Sequence, residues 1–544
     1  MEAKEKNYIQ NKGITLVALV ITIVILLILA GISISTLTNT GIFQKAKDAK
    51  QKSENAHKEE ESFLTEYEKE ILKQDSNGIW DGNVNKPELM TGMKAIQFNE
   101  PTDTTEGSVK KVDNSNATDW YDYKTKKWAN AQTEDGSMWV WIPRYAYKIN
   151  KSNQTFDVIF LVGTTDNYYD KDGKLQTAKR QTSETDIPDA TKDYVVHPAF
   201  TNESNIGYVN GGWKKELTGI WVSKFEAGYF DKNLVDADKE KYSSTVNYSQ
   251  TYGYTTAGKN DEARNYLDGI YGAKTTAIKY PTFQGGKYSM NYINHNDAFN
   301  ISKAIAGDSN NVYELKSNST DSHLMKNSEW GAVAYLGQSQ YGLYNKNIRI
   351  NNVNMGDDSN FVYAMTGYAA KEEDAENTIN ANAIAWNQFG GELASTTGTI
   401  YGIYDMSGGA WERSAAIVNN GNDSGYLNTY GKAIMNALNN GKSSEYVTVY
   451  PNGETSGQSL DDASKSNYTA NTKIYGDAIR ETSTAGLGQT SWYSDYSYFV
   501  GTDNPFFVHG GTSWHTSVAG IFCFFRADGN SSYTVGFRPV LVAQ

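Results

Sequence analysis

The chain has 544 residues, of which 50 are basic and 63 are acidic, so its net charge is −13. This length allows two or more folding units, and the acidic balance argues against nucleic acid as a partner because phosphates would be repelled. A single cysteine, Cys523, excludes an intramolecular disulfide framework and multi-cysteine metal sites.

The amino-terminal part joins a short polar leader, residues 1–13, to a long apolar run. Residues 14–34 are uncharged and long enough to cross a bilayer as a helix, and three lysines in the leader favour a cytoplasmic amino end. The sequence therefore predicts a single-pass membrane protein, anchored through this helix, with a cytoplasmic N-terminus and an extracellular C-terminal domain.

The junction between Gly13 and Ile14 resembles a type IV prepilin leader. The resemblance implies that a prepilin peptidase cuts after Gly13, that Ile14 becomes a methylated amino terminus, and that other pilin-like subunits are partners. The fifth mature residue is Ala18, where the family usually has glutamate, so an ordinary major-pilin role is in doubt and a place at the cell surface or pilus tip is favoured. A simple membrane tether is the alternative.

Two further segments precede the main domain. Apolar or small residues recur at helical spacing among many charges up to Ile71, which predicts a transmembrane and stalk helix over residues 14–75. Turn residues and short aromatic pieces then alternate, and residues 76–136 are expected to form a small strand-rich linker module.

Residues 137–544 are expected to form one large strand-rich domain. Alternating apolar residues predict half-buried strands over residues 137–149 and 216–228, and helical spacing predicts a helix over residues 296–307. Five short motifs follow one another in this part: Ile142-Pro143, Glu329-Trp330, Tyr404-Asp405-Met406 with Gly408 and Trp411-Glu412, Gly510-Gly511 with Ser513-Trp514, and Gly536-Phe537-Arg538.

In this order the motifs resemble the catalytic domain of formylglycine-generating enzymes, the sulfatase-modifying factors, which is a variant of the C-type lectin fold. The resemblance implies an α+β protein in which the long amino-terminal helix precedes a strand-rich, loop-rich domain. Trp411 and Trp514 are predicted to fill the core. Gly536 and Phe537 are expected in a buried strand near the carboxyl end, with the rigid guanidinium of Arg538 bound to carbonyls or a carboxylate.

The sequence predicts no catalytic residue. The enzymes of the resembled family bind copper through two cysteines, whereas Cys523 stands alone among apolar residues and the six histidines lack metal-ligand spacing. Calcium is the one cofactor that the resemblance suggests, because Glu412 matches a glutamate near the family's calcium site, although Gly409 stands where that family has asparagine. The turn at Asp170 is a second calcium candidate; solvated turns are the alternative for both.

Residues 494–543 contain no lysine, glutamate, glutamine or methionine. This composition resembles the variable region of proteins that retroelements diversify, which display exchangeable residues on a lectin-like fold. It also suits recognition, since aromatic and small polar side chains make adaptable contacts. Within the candidate variable region, 493–543, the proposed ligand-binding positions are Tyr493, Tyr496, Tyr498, His515, Thr516, Phe522, Phe524, Ser531, Ser532 and Tyr533. A strand-rich segment that simply lacks those four residue types is the alternative.

Together these features predict a pilin-like cell-surface adhesin or display protein that binds a protein or glycan non-covalently. A structural pilus subunit and an oxidative enzyme of the same fold are the alternatives.

Overall fold

The computed structural model describes residues 84–112, 120–229, 281–287, 289–291, 293–307, 313–354, 364–371, 378–379, 383–419, 425–532 and 534–544. They belong to one compact unit that runs from Asp81 to Gln544. The predicted leader, apolar run and stalk helix, the processing residues Gly13 and Ile14, and the candidate contact residue Tyr533 lie outside the described residues.

The predicted localisation requires a correction. The longest helices in the described ranges have 11 residues, whereas a membrane span needs about 20. None of the described helices is long and apolar enough to cross a bilayer, which contradicts the predicted single-pass localisation.

The protein has a mixed α/β structure in which strands predominate. In the described ranges the strands are β1 Lys94–Asn99, β2 Ser108–Lys111, β3 Asn130–Gln132, β4 Met138–Pro143, β5 Tyr145–Asn150, β6 Thr155–Phe160, β7 Asn167–Tyr169, β8 Leu175–Thr177, β9 Val195–Val196, β10 Gly219–Ser223, β11 Gly228–Tyr229, β12 Pro281–Thr282, β13 Thr320–Leu324, β14 Val353–Asn354, β15 Tyr368–Ala370, β16 Thr378–Ile379, β17 Ala383–Ala385, β18 Trp411–Val418, β19 Thr448–Tyr450, β20 Phe506–His509, β21 Phe524–Ala527, β22 Val535–Phe537 and β23 Pro539–Ala543.

The helices in the same ranges are short. The α-helices are α1 His295–Ala304, α2 Asn327–Gly337, α3 Gly425–Tyr430, α4 Lys432–Asn436 and α5 Leu460–Ala470, and single 3-10 turns lie at Tyr123–Thr125, Pro198–Phe200, Ser204–Ile206, Gly391–Ala394, Trp492–Ser494 and Thr516–Val518. Helix α1 confirms the predicted helix: the Asn294 side chain accepts a hydrogen bond from the Asp297 backbone N–H, which caps its first turn.

The largest sheet has seven antiparallel strands in the order β13-β23-β10-β4-β3-β1-β2. Every residue of β4 and β10 is buried, so the strands predicted as half-buried are in fact covered on both faces. The alternation of residues predicts one face exposed to solvent, but central strands of a sheet covered on both sides bury both sets of side chains. Strands β1 to β3, from the range expected to form a linker module, belong to this same sheet.

A second sheet carries the motifs near the carboxyl end. Strand β18 pairs with β20 on one side, and on the other with β22 along its first half and β19 along its second half, while β21 pairs with β20. Strand β22 therefore lies in this sheet, whereas β23, one residue later, lies between β10 and β13 of the seven-stranded sheet. Arg538 is the residue that connects the two sheets.

Candidate functional site

A group of partly exposed aromatic rings lies side by side at the β21 edge of the second sheet. Centroids of Tyr498 and Phe525 are 4.8 Å apart, those of Tyr496 and Tyr498 are 5.9 Å apart, and those of Tyr496 and His515 are 5.7 Å apart. Beneath them Trp411 contacts both His515, at 5.2 Å, and Phe525, at 5.4 Å. We name Tyr496, Tyr498, Trp514, His515 and Phe525 the C-terminal aromatic face.

Trp514 requires a correction, because the sequence predicts that it fills the core. Its side chain is 45% exposed, whereas Trp411 is buried as expected. Trp514 lies in a loop that is bound to the scaffold by its backbone: Ser513 N–H donates to the carbonyl of Gly409, at 2.9 Å, and Gly408 N–H donates to that of Gly510, also at 2.9 Å. The loop is thus fixed while its tryptophan faces water.

Glycine is required at Gly511 in this loop. Its φ is +80°, and a Cβ built there would lie 2.5 Å from the Cβ of Ala519. An L side chain would therefore meet both an unfavourable backbone conformation and a clash. The Gly-Gly motif shapes the loop that carries Trp514 and His515.

Strand β21 separates core residues from face residues. Phe522 and Phe524, both predicted as contact positions, are fully buried, which corrects that part of the prediction. Phe525 and Arg526 are partly exposed but were not predicted, although they follow Phe524 directly. The signal for Phe525 was the alternation of side-chain direction along a strand, which turns it away from Phe524, whereas Arg526 projects to the same side as Phe524, toward helix α5.

Tyr493 and Thr516 are partly exposed and lie at strained points of the backbone. Tyr493 and the next residue, Ser494, have φ values of +58° and +68°, and Thr516 has a φ of +40°. The Tyr493 hydroxyl donates to Gln338 Oε1, at 2.9 Å, and its ring stacks on Phe522. Tyr493 therefore belongs to the border of the face, with its hydroxyl bound internally.

The two predicted serines lie on a turn beside the same group of rings. Ser531 and Ser532 are partly exposed, and the hydroxyls of Ser532 and Thr534 are 3.0 Å apart. The backbone N–H of Trp411 donates to the Thr534 carbonyl, at 2.8 Å. This bond holds the turn next to the tryptophan that lies under the face. The structure thus brings the turn close to residues that precede it by more than a hundred positions.

Arg526 fixes one side of the face to helix α5. Its guanidinium donates to the Leu460 carbonyl and to Ser464 Oγ, both at 2.7 Å, and to Asp461 Oδ1, at 2.9 Å. It also lies 5.4 Å from the centre of the Tyr498 ring. Since its charge is balanced by Asp461, Arg526 acts here as a rigid edge beside Tyr498.

Below the face, Arg538 connects the two sheets through buried polar contacts. It donates two hydrogen bonds to the carboxylate of Glu412, at 2.8 and 2.6 Å, and others to the carbonyls of Ser223, at 2.6 Å, and Tyr404, at 2.7 Å. Phe537 beside it is fully buried, and Gly536 is buried as well. This is the arrangement that the sequence predicts for the Gly-Phe-Arg motif.

The carboxylates around Arg538 outnumber its single positive charge. Glu226, Asp405 and Glu412 are all buried, and burial, with the other two carboxyls adding to it, raises the pKa of Glu226 well above its usual range. Burial likewise raises the pKa of Glu412 to about 7, against the attraction of Arg538. Burial and the neighbouring carboxyls therefore favour the protonated form of Glu226.

The two calcium candidates have internal partners. Both carboxylate oxygens of Glu412 accept hydrogen bonds from Arg538. Asp170 closes the hairpin between β7 and β8, where it accepts hydrogen bonds from the backbone of Asp172, at 3.0 Å, and Lys174, at 2.9 Å. No group of three acidic, histidine or cysteine side chains suited to a metal occurs in the described ranges.

Cys523 is a core residue. Its side chain is fully buried and packs with Trp411, Val508 and Val535. Burial, with a smaller contribution from Asp495, raises the pKa of the thiol well above its usual range. The protonated thiol thus packs as a small apolar side chain.

No protein-family model matches this sequence, and no curated protein matches it.

Proposed function

We propose that the protein binds a macromolecular ligand non-covalently through the C-terminal aromatic face, and that the ligand is a protein surface. The observation that carries the proposal is the continuous set of ring contacts among Tyr496, Tyr498, His515 and Phe525, beside the exposed Trp514. Tryptophan, tyrosine and arginine dominate the binding energy of protein interfaces, and here ring contacts hold both tyrosines and hydrogen bonds hold Arg526 before any ligand arrives.

The support beneath the face favours binding without a large rearrangement. Backbone hydrogen bonds hold the Trp514 loop, and Arg526 is bound to helix α5. Rings with only two side-chain torsions lose little freedom on binding, so a fixed aromatic face retains most of its contact energy.

A C-type lectin fold of the formylglycine-generating type is part of this proposal. It is supported by contacts among motifs that are distant in the sequence. Arg538 binds Glu412 and the Tyr404 carbonyl, Trp330 Nε1–H donates to the Ile521 carbonyl, at 2.7 Å, and Gly408 binds Gly510. The prepilin-like leader and its processing stay predictions from the sequence.

Exchange of residues on the face is a further part of the proposal. Seven of the ten predicted contact positions are partly exposed: Tyr493, Tyr496, Tyr498, His515, Thr516, Ser531 and Ser532. Partly exposed side chains on a fixed backbone can change with little effect on the core. A near-copy of the corresponding codons, differing at adenines and located beside a reverse transcriptase in the neighbouring DNA, would support this part; its absence would count against it.

Binding is tested by selecting peptides and small protein domains from a display library on the full-length protein, in parallel with a glycan array. Each binder is then measured against Trp514→Ala and against Tyr426→Ala, a control that removes an aromatic side chain of similar exposure, 39%, from helix α3. We expect Trp514→Ala to weaken protein binders by tenfold or more, about 1.4 kcal/mol, and Tyr426→Ala to leave them unchanged. Binders whose affinity is the same for both variants and for the unmodified protein would contradict the proposal. Binding of glycans alone would show that the ligand is a glycan and not a protein.

A further inference from the structure

A cavity of about 400 Å³ opens at the edge of the seven-stranded sheet. It lies between the loop that joins β1 to β2 and the turn after β17. Its lining is mostly polar, with one aromatic and one aliphatic side chain. The lining residues are Thr102, Asp103, Thr104, Thr105, Glu106, Ile384, Gln388 and Phe389. None of them belongs to the C-terminal aromatic face.

Hydrogen bonds hold the two walls together. Gly107 N–H donates to the carbonyl of Asn387, at 2.6 Å, and the Glu106 carboxylate accepts from the side-chain amides of Asn387, at 3.4 Å, and Gln388, at 3.3 Å. A Cβ on Gly107 would lie 2.7 Å from Ile400 Cδ1, so the loop is close against the core at this point. The cavity is therefore formed in advance of any ligand.

The loop itself is closed by its threonines. The backbone N–H of Thr102 donates to the carbonyl of Thr105, at 2.9 Å, and their hydroxyl oxygens are 2.5 Å apart. Each hydroxyl can both donate and accept, as can the carboxamide of Gln388. The cavity thus presents donors as well as acceptors to a ligand.

The remaining lining residues limit the class of ligand. Phe389 is 58% exposed and gives the cavity an apolar ring, with Ile384 nearby. Two carboxylates and no basic side chain line it, so phosphate, sulfate and carboxylate groups would be repelled. A suitable ligand is uncharged, carries several hydroxyls, and has one face of C–H groups that can pack on a ring.

We propose that this cavity binds a neutral saccharide unit, with its C–H face on Phe389 and its hydroxyls bonded to Glu106, Gln388 and the threonines. The volume lies within the usual range for small-ligand sites, about 300–1,000 Å³. An organic cation is the competing ligand, since ammonium groups also pack on aromatic rings beside carboxylates. The three threonine hydroxyls and the carboxamide of Gln388 favour the saccharide, because they offer donors as well as acceptors, whereas a cation would use acceptors alone.

The test uses the full-length protein and four probes: the methyl glycosides of glucose, galactose, mannose and N-acetylglucosamine. Saturation-transfer NMR and titration calorimetry should show millimolar binding of at least one. Phe389→Ala and Glu106→Ala should each weaken it about tenfold or more. Tyr426→Ala, on helix α3, and Trp514→Ala, on the aromatic face, should leave it unchanged, which separates this site from the proposed function.

Three outcomes would overturn the proposal. The first is the absence of binding for all four glycosides at millimolar concentration, and the second is binding that Phe389→Ala leaves unchanged. The third is preferential binding of benzyltrimethylammonium, weakened by the same two variants, because it would assign the cavity to cations. Thermal unfolding of each variant is measured alongside; both side chains are exposed, so the native transition should persist.

Discussion

Arg538 shows how one side chain can hold two sheets in register. Its planar guanidinium reaches a carboxylate on β18 and a carbonyl on β10 at the same time, at 2.6 to 2.8 Å. A lysine ammonium could not form the paired contact with Glu412 while also binding the carbonyls of Ser223 and Tyr404, because its three donors radiate from one atom. The charge is buried and donates four hydrogen bonds, so the position specifies geometry rather than reactivity.

Asp477 carries a prediction on pH. Its carboxyl is buried, and although the Tyr450 hydroxyl donates to it at 2.7 Å, burial raises its pKa to about 7. The folded state therefore holds this proton more tightly than the unfolded state, where the pKa is near 3.8. The resulting stability is fully present below about pH 4 and is lost as the pH rises to about 7, at about 1.4 kcal/mol per pH unit.

Asp477→Asn should remove that dependence. Relative to the unmodified protein, the free energy of unfolding of the variant should improve by roughly 2 to 4 kcal/mol between about pH 4 and pH 8, measured by urea denaturation. Asp503→Asn is the matched control, since it makes the same substitution at an exposed aspartate outside the core. If the difference in free energy of unfolding between Asp477→Asn and the unmodified protein is the same at both pH values, the folded protein holds the ionised carboxylate without a loss of stability.

At the scale of the element, strand β21 separates the core from the proposed binding face. Phe524 is fully buried with Phe499 and Phe507, whereas Phe525 is partly exposed and contacts Tyr498 and Trp411. The two phenylalanines are adjacent and belong to the same strand. They provide a matched pair in which only the direction of the side chain differs.

Phe524→Ala should destabilise the protein by about 3 to 5 kcal/mol, because it leaves a cavity in the core, whereas Phe525→Ala should cost about 1 kcal/mol or less. Chemical denaturation measures both. The reverse should hold for binding, with Phe525→Ala weakening ligands of the aromatic face. Equal losses of stability at the two positions would mean that Phe525 is also a core residue, and would weaken the proposed function.

At the scale of the whole molecule, the final strand completes the largest sheet. Strand β23 lies between β10 and β13, and Val540, Leu541 and Val542 are buried. Its partners in β10 precede it by most of the length of the described unit. The seven-stranded sheet is therefore incomplete until residues 539–543 are present. Such pairing between distant segments makes folding slow.

Removal of residues 539–544 should therefore prevent native folding. Each buried aliphatic side chain contributes about 1.5–3 kcal/mol, and three of them approach the total stability of a typical domain, about 5–15 kcal/mol. Near-ultraviolet circular dichroism and gel filtration would report the loss. Removal of Gln544 alone is the control, because this exposed residue contributes one backbone hydrogen bond, to Ser319 at 3.1 Å. A native spectrum for the shorter chain would show that the sheet closes without β23.

Local patterns in the sequence predicted several elements correctly. Helical spacing predicts helix α1, and alternating apolar residues predict strands β4 and β10. These patterns depend on neighbours within a few positions, so they can be read without the fold. Composition also led to residues 493–543 as the candidate variable region, and seven of its ten predicted positions are partly exposed.

The sequence by itself determined the strand-rich character of the protein, the position of α1, and the kind of partner, carbonyls or a carboxylate, that the guanidinium of Arg538 binds. Only the tertiary structure decided which aromatic side chains meet water: Trp514 is exposed, Phe522 and Phe524 are buried, and Phe525 joins the face. The reason is physical. A strand directs alternate side chains to opposite sides, but which side is covered depends on the elements packed against it, and these come from distant parts of the chain.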